Sequence, residues 1–301
     1  MDPFTRLPLL PTTVVGSFPV ERGSGIGGLL DPLKHAVKVA VDAQVRAGID
    51  IISDGQVRGD MIQAFTSRLP GIRGQEVVGK VLPASGPITV HDTRHALSCH
   101  PFVKGILTGP TTLSFGLHIS TPIYRDRTDC ALDLAAALAP EARALEKAGV
   151  CMIQVDEPFL STGSANLDAG KAALSHVISN LRVPICLHVC GDLSSIIDRL
   201  IGFPVAVLDI ECAKNPENLE MLSGISLHTL MVGVGCVDSS RPEVESVSEI
   251  KKRVEHAVDL LGPANLLIDP DCGLRMLPAD AASRKLTHMV MAVREVRESL
   301  A

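Results

Sequence analysis

The 301-residue sequence has no excess of positive charge, no apolar run of about 18 residues and no basic-then-apolar leader. Each absence excludes a class of partner or location. With 28 Lys and Arg against 34 Asp and Glu, the net charge is −6. There is therefore no electrostatic footprint for nucleic acid or for an anionic membrane surface. Without a spanning run or a leader, membrane insertion and export are not expected, and the sequence reads as cytoplasmic. Low-complexity tracts, short repeats and dividing linkers are also missing, so one domain over 1–301 is expected. What is present is 46% hydrophobic and 21% charged residues, which supports a sizeable core and argues against wholesale disorder.

Eight cysteines stand at 99, 130, 151, 186, 190, 212, 236 and 272. Spread through a long chain without an export signal, they read as reduced thiols or metal ligands rather than disulfides. Most of them are expected to be small buried hydrophobes.

Short β-rich runs alternate with helical patterns along the whole chain. Strands are expected at 12–18, 49–53, 102–107, 151–156, 184–190, 205–211, 227–233 and 265–269. Helices are expected at 31–47, 127–148, 166–181, 193–200, 214–222, 246–261 and 279–297. Such alternation implies parallel strands with crossover helices. Eight units in this length fit an α/β fold of the closed (β/α)8 TIM-barrel type. Residues 55–100 are too long for a crossover and form an excursion between strands 2 and 3, expected to cover the barrel mouth.

Catalysis in such barrels sits where the strands end. The polar residues ending these strands are Ser17, Asp54, Asp156, His188 with Cys190, Glu211, and Asp271 with Cys272. His188 and Cys190 are two apart, so alternation points both into the mouth, with Cys186 deeper on the same face. His188, Cys190, Glu211 and Cys272 make a tetrahedral ligand set for zinc in which a labile carboxylate yields to an incoming ligand. Cys236 rivals for the fourth position, whereas Cys212, next to Glu211, points away and is structural. A His-x-Cys pair alone is more often plain burial; three strands each ending in a ligand type is what strengthens the reading. Zinc suits activation of a thiol, whose free pKa of about 8.5 leaves it mostly a poor nucleophile near neutrality.

The segments TTVVGSFP (12–19), DGQVRGDM (54–61), GPTTL (109–113), QVDEP (154–158), HVCGD (188–192), IE (210–211) and DPDCGL (269–274) follow in order along the chain. In this order and spacing the sequence resembles the catalytic barrel of the cobalamin-independent methionine synthase family, in the superfamily that includes uroporphyrinogen decarboxylase. The resemblance implies zinc on His188, Cys190, Glu211 and Cys272, and homocysteine as the methyl acceptor. It implies Ser17 at the substrate carboxylate and Asp156, as the catalytic residue, at the ammonium. Gln56 stands in the amino-group pocket where the family usually has Glu, with Asp54 or Asp60 in a position to compensate.

Further departures concern the donor. Ser240 aligns with the family's histidine acid, which helps protonate a departing folate nitrogen. The tryptophan usual after the GPTT motif is absent, and the chain has room for one barrel where the full-length enzyme has two. These losses lead to the expectation of a short methionine synthase whose donor is methylcobalamin or a methylated corrinoid protein, because a cobalt leaving group needs no proton. Alternatives are a folate-dependent methionine synthase, a methylcobamide:coenzyme M methyltransferase drawing on Arg22, Arg58 or Arg275 for a sulfonate, and a non-catalytic zinc-binding partner in a corrinoid complex.

Overall fold

Local signals start and stop the longest elements. Asp126 accepts a hydrogen bond from the Asp129 amide to begin the helix Arg127–Ala148, and Gly149, at φ 101°, ends it. Ser246 and Glu249 form a reciprocal capping box at the start of Val247–Leu261. Asn166 caps Leu167–Val177. Each of these helices packs its apolar stripe on a central sheet whose five-residue strands are buried along their whole length, as parallel strands covered on both faces must be.

The computed structural model describes residues 3–21, 31–227 and 229–301. Its strands are β1 (Ile72–Arg73), β2 (Glu76–Val77), β3 (Lys104–Thr108), β4 (His118–Ile119), β5 (Met152–Asp156), β6 (Ile185–Val189), β7 (Val207–Glu211), β8 (Met231–Val237) and β9 (Leu266–Pro270). Six of them form a parallel sheet in the order β3-β5-β6-β7-β8-β9. Two further chain segments join its ends. Thr12 bridges Ile268 in parallel, the Ile51 amide donates to Thr12 O at 2.9 Å, and Ile52 bridges Val103. Eight parallel segments thus follow one another around a ring, the α/β barrel expected from the sequence.

The helices expected at 193–200 and 214–222 shorten to Ile197–Leu200 and Glu217–Glu220, and three strands also differ from expectation. The first two strands are not 12–18 and 49–53 but single bridges. Past Thr13, side chains replace the ladder: Val15 O accepts from Gln154 Nε2 at 2.7 Å and Gly16 O from Ser53 Oγ at 3.1 Å. The seventh strand is Met231–Val237, later than 227–233. Glycines usually weaken a strand, but Gly233 and Gly235 lie inside this one because a Cβ there would meet Asp209 at 2.8 Å and Asp271 at 2.5 Å. The 55–100 excursion carries the helices Gln63–Thr66 and Val90–Cys99. It also supplies β1 and β2, which pair with β4 in a small separate sheet. No described helix is long and apolar enough to cross a membrane.

Candidate active site

At the C-terminal ends of the strands a cavity of about 900 Å³ opens to solvent. His188, Cys190 and Cys272 line one end of it, and Ser17, Gln56 and Asp156 line it as well. The 55–100 excursion contributes Arg58, Met61, Phe65 and Asp92 to the lining.

The ligand atoms of His188, Cys190 and Cys272 all lie within 4.8 Å of one another. His188 is 2% exposed; its Nδ1 is 2.9 Å from Asp209 Oδ2, and its Nε2 is buried with no partner. Burial opposes a charged imidazole, but Asp209 and the two cysteines outweigh it and hold His188 well above its usual pKa. Cys272 is pulled below the usual thiol range by the hydrogen bond from Cys190 and by His188, and Cys190 is pushed up correspondingly. Two cysteine sulfurs thus gather beside a buried imidazole nitrogen that has no partner. A divalent cation resolves all three at once, since it needs two thiolates and one neutral ring nitrogen. The residues present fit zinc.

Glu211 is not in this cluster. Its Oε1 accepts from Asn215 Nδ2 at 2.7 Å and its Oε2 from the Gly191 amide at 3.1 Å, and it does not line the cavity. Cys236 is fully buried in β8, its thiol raised by burial, and takes no part. Cys212 is buried too.

The loops bearing the cluster are tied to one another. Asn218 Nδ2 donates to Gly191 O at 2.8 Å and to Glu211 O at 2.7 Å. Asp271, which the sequence placed among the strand-end residues, accepts from the Cys212, Ala213 and Lys214 amides. It therefore fastens the Cys272 loop to the chain after Glu211. Gly273 is required beside it, because a Cβ there would meet Ser17 Oγ at 2.0 Å.

Asp156 is 5% exposed, its Oδ1 accepts from Gln154 Nε2 at 2.7 Å, and burial raises its carboxyl to about 6. Asp54, also at the cavity, is raised to about 6 by burial and accepts from the Gln56 amide at 2.9 Å. Gln56 itself has φ 44°, a left-handed conformation that non-glycine residues hold only where surroundings impose it. Arg275 Nη1 helps impose it by donating to Gln56 O at 3.1 Å and Gly59 O at 2.5 Å. Arg58 pairs with Asp31 at 2.7 Å and with Asp92. The guanidiniums considered for a sulfonate thus already have partners, and Arg22 lies outside the described residues. Ser240 is exposed, donates from Oγ to Asp238 at 2.6 Å and does not line the cavity.

Asp209 escaped the sequence reading, as did Lys104 and Asp269 deeper in the barrel. The signal was available for Asp209: it lies two residues before Glu211, on the same strand face.

Comparison with known proteins bears on this geometry. Residues 10–295 match the family model described as "Cobalamin-independent synthase, Catalytic domain". A methionine synthase of Methanothermobacter marburgensis is 42% identical, with 94% of this chain and 99% of that protein covered. A methionine synthase of Methanocaldococcus jannaschii is 40% identical, with 95% and 99% covered. Among solved structures, a B12-independent methionine synthase from Shewanella sp. W3-18-1 in complex with selenomethionine superposes with a TM-score of 0.84 at 24% identity. It covers 97% of this chain and 99% of that one, and shows the shared fold. The family's description conflicts with the methylcobalamin donor and corrinoid-protein partner expected from the sequence, and that expectation is withdrawn. The chain belongs to the cobalamin-independent synthase family, matches its catalytic domain, and is a methyltransferase.

Proposed function

We propose that this chain is a methionine synthase that methylates the thiol of homocysteine at a zinc ion held by His188, Cys190 and Cys272, with Glu211, released from Asn215 and Gly191, as the fourth ligand. The observation that carries the reading is the buried, partnerless His188 Nε2 facing two cysteine sulfurs at the end of a cavity that also holds Asp156. Zinc in that place supplies the acidity that makes a bound thiol a nucleophile at neutral pH. The Asp156 carboxylate, oriented by Gln154, holds the substrate ammonium, and Ser17 serves the carboxylate end. Gln56 closes the amino-group side, with Asp54 behind it as the second carboxylate. Held so, the sulfur faces the open cavity from which a methyl donor enters. The sulfur loses its proton and bonds to the methyl carbon, and the methyl–donor bond breaks with its electron pair leaving on the donor. The relatives' names and the selenomethionine bound by the Shewanella protein support homocysteine and its methylated product as occupants.

The test incubates zinc-loaded protein with homocysteine and, separately, methyltetrahydrofolate or methylcobalamin, and follows methionine. Methionine with methyltetrahydrofolate is the expected result; methionine with neither donor, while zinc remains bound, would favour the non-catalytic reading.

A further inference from the structure

Behind His188 the barrel interior holds two aspartates that methyl transfer, as proposed above, leaves unused. Asp209 on β7 and Asp269 on β9 are each 1% exposed. Asp209 Oδ2 meets His188 Nδ1, but its Oδ1 has no partner, and neither has Asp269 Oδ1. The strand between them is β8, where Asp209 lies level with Gly233 and Asp269 with Gly235. A side chain at Gly233 would stand 2.8 Å from Asp209 Cβ and Oδ1, so glycine there is what admits the carboxyl. Lys104, the cation of the same interior, hydrogen-bonds Gln154 Oε1.

Two adjacent buried carboxylates, each with an oxygen lacking a donor, cost several kcal/mol per ion. One proton held between them removes both defects, because a protonated carboxyl is a donor and the other remains an acceptor. Burial together with the Asp209 charge holds the Asp269 carboxyl well above its usual range. With the proton on Asp269, its carboxyl is a donor for Asp209, while Asp209 Oδ2 accepts from His188 Nδ1–H. Keeping the hydrogen on Nδ1 leaves the lone pair on Nε2, the buried atom that faces the two cysteines.

We propose that Asp209 and Asp269 are paired positioning residues of the metal site, Asp269 fixing Asp209 and Asp209 fixing the His188 ring with Nε2 outward. The inference rests on the zinc reading given above. Neither residue touches substrate, so the effect is on metal retention first and on turnover through it.

The experiment measures zinc affinity by chelator competition for the parent and three variants, with thermal unfolding of the metal-free forms to confirm folding. Asp209→Asn keeps the shape without the charge and is expected to weaken zinc roughly 10- to 100-fold. Asp269→Ala removes the donor and is expected to weaken it in the same direction, whereas Asp269→Asn retains an N–H donor and returns the affinity close to the parent's. Affinities equal across the parent, Asp209→Asn and Asp269→Ala would overturn the pair and leave the zinc reading standing. Asp269→Asn as weak as Asp269→Ala would overturn the donor role. A folded parent that binds no zinc would overturn the functional reading and this inference together. Where a variant does not fold, nitrogen NMR of the zinc-loaded parent decides: an exchange-protected Nδ1–H on His188 is expected, and metal on Nδ1 overturns the proposal.

Discussion

The two ends of the cavity are built differently. The metal end stands on the strand termini of β6, β7 and β9, and its side chains are gripped from behind by buried groups: Asp209 on His188, Asn218 on the chain at Gly191 and Glu211, Asp271 on the chain after Glu211. The outer wall is an excursion between the second and third barrel segments. The Arg58 ion pairs that hold part of it leave their side chains about a third exposed on Arg58 and Asp31. Buried, mutually satisfied contacts fix geometry to tenths of an ångström, whereas solvated ion pairs contribute little and permit movement. On the function proposed above, chemistry that needs ligands in place before the substrate arrives belongs at the first end, and admission of a donor at the second. Arg275 joins them, reaching from the Cys272 loop to the carbonyls of Gln56 and Gly59.

The largest effect should come from breaking the rigid end. Cys272→Ser is expected to lose zinc and to cut turnover by more than about 100-fold, since changes even outside the ligand set cost 10- to 100-fold; metal analysis beside a methionine assay checks both. Asp156→Asn should keep its zinc and raise the KM for homocysteine by roughly 10- to 100-fold, the equivalent of losing a charged hydrogen bond worth about 1.5–3 kcal/mol. Unchanged KM would remove Asp156 from substrate binding.

Acidity probes the same carboxyl. Because burial raises Asp156 from 3.8 to about 6, it carries its proton below that pH and cannot pair with an ammonium. The KM for homocysteine should therefore climb as pH falls through 6, by about tenfold per unit. Zinc content followed over the same range separates this from loss of metal, and Asp156→Asn should flatten the climb. Arg275→Ala cuts the clasp between the two ends: KM values should rise severalfold while zinc affinity stays put, and a loss of zinc instead would mean the two ends are one unit. The smallest effect is expected from Arg58→Ala, which should cost about 1 kcal/mol of stability or less in a denaturation curve and leave metal binding unchanged.

Much of this was legible in the residue order. The strand-end reading found His188, Cys190 and Cys272 because a strand alternates its side chains and a parallel barrel gathers strand ends at one mouth. Asp156 and Ser17 came from the family resemblance and line the same cavity. Glu211 lies on the predicted strand, yet its oxygens are held by Asn215 and Gly191, a choice set by the loops after β7 and β6 that no periodicity encodes. Asp209 was passed over inside an apolar run, where a charged residue signals either an error of assignment or a buried role.

The sequence by itself determined the alternation of strand and helix, the caps at Asp126, Asn166 and Ser246, and the identity of the metal-type side chains, because these follow from local sterics and period. Tertiary structure alone decided that Thr12 and Ile52 contribute bridges instead of full strands, that Gly233 makes room for Asp209, and that Asp209 and Asp269 come together behind His188. Those outcomes depend on which atoms meet across the barrel, over separations as long as the 60 residues between Asp209 and Asp269, and chain order carries no distance of that kind.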